Sequence, residues 1–518
     1  MNCKRCGQTI DSTDLFCKHC GVPISVSDAP TAPDLFEYQE NMSEITITGL
    51  NKEKAKKLTT IIIPEHIDGK PVTKIGGSAF SECRNLVSVT IPDCVTTIEG
   101  GVFYKCSALY HVVLPSGLKE ISAFLFDKCV SLYRIDIPET VEKIGNYAFS
   151  HCTALSHVYI PKSVSIINAS AFSYCDSLID ISLSQENENL VMEDNVIYSK
   201  DKTTIFACFQ ESDHFTIPES VRFIYERAFL SAKTNMVFLN HDIDEIGDYA
   251  FYGSNVTKVV IKGNVRKLGK HLFADSKMLT DTFNLGNIIE ISDNMFENCS
   301  DMLQFIVPKN AVSIGEEAFS GCKYLGSVYI RDTVKEIGKE AFSSCIRMSN
   351  ITVPDSVVKI GNYAFCGCSS VREISLPKNI SEISDGLCCG CSLISTIEIP
   401  ENVERIGNYS FSGCALLEKV IIPENVKEIG DGAFQNCYNL KEIFIPESVK
   451  KIGRKAFEGC SCIKEIRIPK GVETLGNDAF ERCKSFKKAV VPRHLSRCFD
   501  TFTDVFYGDM DFLLELYD

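Results

Sequence analysis

The sequence predicts a β-rich solenoid of coils about 23 residues long, preceded by a small metal-binding module. Three observations carry this. Phenylalanine returns at a fixed interval, at Phe80, Phe103, Phe126, Phe149 and Phe172 and again from Phe296 to Phe480. Each copy contains an apolar alternation ended by proline, and three residues after the repeat Phe comes Cys in fourteen of seventeen coils. A unit this short cannot bury its own apolar face, so successive copies must stack into one elongated core.

Residues 1–21 hold Cys3-Lys-Arg-Cys6-Gly and Cys17-Lys-His-Cys20-Gly. Two such knuckles supply four thiolates that close a tetrahedral Zn²⁺ site, and the glycine after each pair permits the turn toward sulfur. The segment resembles the short zinc ribbons at the start of many bacterial proteins, and Leu15-Phe16 fits that pattern. With Cys3, Cys6, Cys17 and Cys20 as ligands no coordination position stays open, so the one zinc is expected to be structural. Residues 22–33 are rich in Pro and small residues and read as a flexible linker.

One coil runs from Cys437 to Cys460. Leu440, Ile443 and Ile445 fall on one side and Glu442 and Phe444 on the other, the alternation of a half-buried strand. Val449 and Ile452 form a second short apolar pair closed by Gly453, where a positive φ is expected. Ala456 and Phe457 follow on a short helical turn that packs inward. Where the Cys column departs from Cys it holds Ala232, Ser254 and Ser276, so it reads as a buried position needing only a compact side chain. In-register coils about 4.8 Å apart hold these thiols slightly too far apart for disulfides.

Turns such as Ile445-Pro-Glu-Ser-Val-Lys-Lys-Ile-Gly and Ile422-Pro-Glu-Asn-Val-Lys-Glu-Ile-Gly resemble the BspA-like, or Treponema pallidum type, leucine-rich repeats. The resemblance covers about residues 34–492. It implies a curved horseshoe of parallel strands used to recognise proteins or cell surfaces, with no catalytic residues to carry over. Within it, residues 34–75, with Ile45-Thr-Ile-Thr-Gly, resemble the atypical capping strands of such arrays, and residues 76–492 form the array. Between Phe172 and Phe229 the spacing is broken, and Val196-Ile-Tyr and Thr204-Ile-Phe-Ala-Cys around a polar turn predict a projecting β-hairpin at about residues 185–215. Residues 493–518 leave the repeat and read as a C-terminal cap or tail.

The formal net charge of −15 should repel phosphate backbones, which argues against nucleic acid. The fingerprints of nucleophilic hydrolases, zinc proteases and nucleotide-binding loops are missing, so the chain reads as noncatalytic. No charged start with an apolar core of about 7–15 residues, and no apolar run near 18, is present. With twenty-five cysteines this favours a reducing, cytoplasmic location and no transmembrane segment.

Function then falls to outward strand positions. Tyr110, His111, Tyr133, Arg134, His157 and Tyr159 are expected to form one patch binding a protein partner, and Ile421 with Phe444 a weaker apolar line. The reading is a noncatalytic protein-interaction scaffold. The alternatives are a cell-surface adhesin displayed by a non-classical route, and a regulatory protein that docks through its zinc ribbon.

Overall fold

The structure is a computed structural model that describes residue 9 and residues 29–51, 58–178, 180–279, 284–498 and 513–518. Cys3, Cys6, Cys17 and Cys20 of the expected zinc ribbon lie outside the described residues. The chain forms two compact units, Met1–Glu211 with Ser220–Ala232, and Ser212–Glu219 with Lys233–Asp518.

The first unit opens with the antiparallel strands Phe36–Glu40 and Ile45–Leu50, the latter pairing in parallel with Lys70–Ile75. Phe36 meets the first repeat ring, Phe80, edge-on at 6.4 Å, so this pair closes the end of the aromatic core. Coils then stack in two columns of parallel strands. Thr60–Ile62, Ser88–Thr90 and His111–Val113 form one, and Glu120–Ile121, Lys143–Ile144 and Ile166–Ile167 belong to the other. The irregular segment is an antiparallel meander of Leu190–Glu193, Val196–Ser199 and Thr204–Cys208. Its last strand pairs in parallel with Phe223–Ile224, and Val196, Ile197 and Ile205 are fully buried. It is built into the stack, where the sequence led us to expect a projecting hairpin.

The second unit repeats the same plan over more coils. Its long-strand column includes Thr396–Glu398, Lys419–Ile421 and Glu442–Phe444, and its short-strand column includes Glu428–Ile429, Lys451–Ile452 and Thr474–Leu475. At its end the strand Leu513–Tyr517 lies parallel to Lys488–Pro492 in a five-residue register. Tyr517 Oη donates to the carbonyl of Ile468 at 2.8 Å, and the Arg467 guanidinium sits 4.5 Å over its ring.

The third side of each coil is the Phe turn, and among the described residues it is nowhere α-helical; only at Phe172 does it close as a 3₁₀ turn, Ala169–Phe172. Around Phe434, the N–H groups of Gly432, Phe434 and Asn436 donate to carbonyls of the next coil at 2.7–2.8 Å, while those of Ala433, Gln435 and Cys437 bond back within their own coil. Gly432 and Asn436 have positive φ, 56° and 61°, which turns alternate amides toward the neighbour. An α-helix would direct every N–H back along its own chain. That competition decides against the helical turn expected at Ala456-Phe457, where Phe457 N–H reaches Ala479 of the next coil at 2.8 Å. Among the described residues the helices are three 3₁₀ segments, Pro33–Leu35, Ala169–Phe172 and Arg493–Cys498.

Gly453 also acts otherwise than expected. Its φ is not positive; Lys455, at 57°, and Gly459, at 74°, take that conformation. A Cβ on Gly453 would lie 2.5 Å from Asp431 N and Gly430 C of the preceding coil, so glycine stands where two backbones approach too closely to admit a side chain. Asp431 Oδ1 then accepts the Arg454 amide at 2.8 Å, and Asn408 Oδ1 accepts that of Asp431 at 2.8 Å, a side-chain ladder beside the glycines.

The rings form stacked columns in each unit. Phe103 and Phe126 lie 5.4 Å apart at 3°, and Phe434 and Phe457 repeat that separation and angle. All four are fully buried, each worth about 1.5–3 kcal/mol by transfer. The ladder thiols are more than compact fillers. Cys106, Cys129, Cys299 and Cys322 each donate to the carbonyl of a Phe 26 residues earlier, at 3.0–3.1 Å. Ser276 makes the equivalent bond to Phe251 at 2.6 Å, which accounts for Ser as the substitute.

Candidate interaction surface

Parallel register turns the sequence period into rows of side chains. In the first unit one outward row runs through residues 88, 111, 134, 157 and 180, because Ser88 pairs with His111, Arg134 with His157, and His157 with Asp180. A second row, two residues on, contains Asp136 and Tyr159. Alternation along each strand sends the intervening Val112, Ile135 and Val158 inward, and all three are buried.

Five of the six expected residues lie at the surface. Tyr133 is 48% and Tyr159 43% exposed, and Arg134 and His157 are exposed. Tyr110, half-buried, stacks on Tyr133 at 5.9 Å with nearly parallel rings, and burial first, then the Tyr133 phenol, push its hydroxyl pKa up. His111 departs from the expectation: it is 6% exposed. The register sets it against Ser88, itself buried, so this end of the row is covered where strand alternation alone would leave it open. His111 therefore belongs to the packing and not to the surface.

The polar members are held in place. Arg134 Nε and Nη2 both reach Asp136 Oδ1, at 3.0 and 2.9 Å, and His157 Nδ1 lies 2.7 Å from Asp180 Oδ2. Both contacts are exposed, so each adds little to stability; their effect is to restrict side chains that would otherwise lose more freedom on binding. Asp136 and Asp180 lie outside the six residues expected from the sequence to form the patch. Adding one repeat length to His157 reaches Asp180, so the period itself carried the signal.

A second feature was also missed, on the Phe-turn side of the same unit. Phe124 stacks on Tyr147 at 5.2 Å and His151 on Tyr174 at 4.5 Å. All four have positive φ, and the spacing within each pair is again one repeat. In the second unit Ile421 and Phe444 stand in register, each 63% exposed, between Glu398 and Arg467. Ile306 and Tyr329 form a similar exposed pair. Among the described residues no helix is long and apolar enough to cross a membrane.

A family model described as a BspA type leucine rich repeat region matches residues 73–204, 201–310, 289–414 and 387–504. Among solved structures, the chain is similar to a leucine-rich repeat protein from Bacteroides ovatus, at 21% identity over 94% of this chain and 100% of that one, with a TM-score of 0.39. A leucine rich cell surface protein from Faecalibacterium prausnitzii is 24% identical over 83% and 95% of the two chains, with a TM-score of 0.38. The pneumococcal vaccine antigen PcpA is 17% identical over 82% and 98%, with a TM-score of 0.34. No curated protein matches the sequence.

Proposed function

Because the chain belongs to the BspA-type leucine-rich repeat family, we propose that it is a noncatalytic interaction scaffold that binds a protein partner through the strand face of its first unit. The observation that carries this reading is the adjoining set Tyr133, Arg134, His157 and Tyr159. It joins exposed aromatic area to polar groups already held by Asp136 and Asp180. Rigid Tyr and Arg anchors are the residues that dominate protein interfaces, since they give large contact area at small entropic cost.

The test places a photoreactive amino acid at position 159 of the full chain in its native cell, and separately at exposed Glu139. Discrete protein adducts are expected from position 159, weakened by Arg134→Ala and missing from position 139. Identical adducts from both positions would sink the proposal.

Two further parts of the reading rest on the sequence. Cys3, Cys6, Cys17 and Cys20 form an all-thiolate donor set suited to one structural Zn²⁺. The cytoplasm is the proposed location, because buried thiols that donate hydrogen bonds from coil to coil suit a reducing compartment. Protease treatment of intact cells checks it: cleavage of the repeats while a cytosolic control survives would place the protein outside.

A further inference from the structure

In the second unit two successive coils hold cysteine at the position directly after the repeat Phe column, Cys366 and Cys389, and both are partly open to solvent. The same column carries Ser343 before them and Ser412 after them. The two thiols occupy equivalent places. Cys366 N–H bonds back to Tyr363 and Cys389 N–H to Gly386, at 3.0 and 3.1 Å, and Gly367 N–H donates across to the Cys389 carbonyl at 2.6 Å, locking the coils in register. With the coils locked in register at equivalent positions, the two side chains are neighbours in one column. The other thiols nearby are committed elsewhere: Cys368 and Cys391 are buried and donate to the carbonyls of Phe342 and Phe365 at 3.1 and 3.2 Å.

We propose that Cys366 and Cys389 form a solvent-accessible dithiol site that binds one Cu(I) ion between their sulfurs. The number and kind of donors select the metal. Zinc requires about four ligands, and among the described residues no group of three or more Cys, His, Asp or Glu is placed to hold a metal ion. Monovalent copper is satisfied by two thiolates in a near-linear arrangement and is the soft ion that thiolate sulfur prefers. The spacing fits as well. Stacked coils lie about 4.8 Å apart. Two metal–sulfur bonds of about 2.3 Å, the length found for zinc thiolates, reach across up to about 4.6 Å and leave the stack undisturbed. In binding, each sulfur exchanges its proton for a bond to copper, both protons pass to solvent, and copper remains Cu(I).

The experiment uses the full-length protein with its zinc bound, titrated anaerobically with Cu(I) buffered by bicinchoninate. Wild type is expected to take up one more Cu(I) than either Cys366→Ser or Cys389→Ser. Serine already occupies this column in the neighbouring coils, so both variants are expected to melt with wild type, and Cys462→Ser, at another partly exposed thiol, should keep the full stoichiometry. The zinc ribbon is common to all four proteins and cancels in the difference. Equal copper uptake by wild type and the two variants would overturn the proposal. So would loss of the equivalent in Cys462→Ser, or a Cys366–Cys389 disulfide found by mass spectrometry in protein isolated without oxidant.

Discussion

Cys437 Sγ donates to the carbonyl oxygen of Phe411 at 3.2 Å, although the two residues stand 26 apart in sequence. The bond ties the end of one Phe turn to the ring position of the coil before it. Because the same carbonyl also accepts the Cys414 amide at 3.1 Å, it is not orphaned when the thiol is lost. Cys437→Ala is therefore expected to destabilise by about 0.5–1.5 kcal/mol, and Cys437→Ser by less because it keeps a donor. Urea midpoints of the two variants check this, and a serine variant weaker than the alanine one would contradict the donor role.

The buried thiols also set a pH dependence. Burial first, with Cys83 nearby, pushes the Cys106 thiol up to about 12, and burial raises Cys129 and Cys152 as well. A folded pKa above the unfolded value of about 8.5 means the stabilising contribution is fully present below that pH and is lost as pH rises from there through about 12. Melting temperature is expected to fall steeply above about pH 8.5, and Cys106→Ser to shallow the slope. Flat melting temperatures across that range would refute the account.

Gly453→Ala is expected to lower stability by more than about 2 kcal/mol, because its new Cβ meets backbone atoms that have no freedom to retreat. Gly117→Ala, where nothing lies within 4 Å, should stay within about 0.5 kcal/mol of wild type. Thermal denaturation of the pair separates close approach from a general intolerance of Ala.

His111 and Tyr159 should part company. His111→Ala is expected to cost stability and leave crosslinking from position 159 largely intact in the protein that still folds. Tyr159→Ala is expected to leave the melting curve unchanged and weaken partner binding by about 2 kcal/mol or more if it is an anchor. Melting curves and partner titrations on both variants test the division.

Zinc is expected at one equivalent per chain. Chelation, or Cys17→Ser with Cys20→Ser, should remove it without altering the circular dichroism of the repeats, since the described coils are held by their own Phe and Cys columns. A collapse of the β signal on chelation would tie the metal to the array.

The period, the Phe column and the inward Ile and Val positions were legible because each is an apolar residue at a fixed spacing, and burial of Phe434, Val420 and Ile466 follows from that alone. The turn conformation was not legible. Lys455 is a good helix former by propensity, yet it takes φ 57° because inter-coil hydrogen bonding outweighs the local preference. Gly453 was visible as glycine, but its reason lies in Asp431 and Gly430 of the preceding coil, which only the register reveals. At the surface, alternation identified Tyr133, Arg134, His157 and Tyr159 as outward, and failed at His111 because covering by a neighbour is not encoded in the strand's own pattern.

The strand Leu513–Tyr517 completes the last coil by pairing, among the described strands, with Lys488–Pro492 alone, and inward from it each coil is bonded chiefly to the next. Under tension applied at the C-terminus, such a stack yields by peeling. Once that terminal strand tears away, coils of about 23 residues should come off in turn, each paying out roughly 75–80 Å of chain. A molecule pulled in this way is expected to lengthen coil by coil, giving way gradually before it breaks.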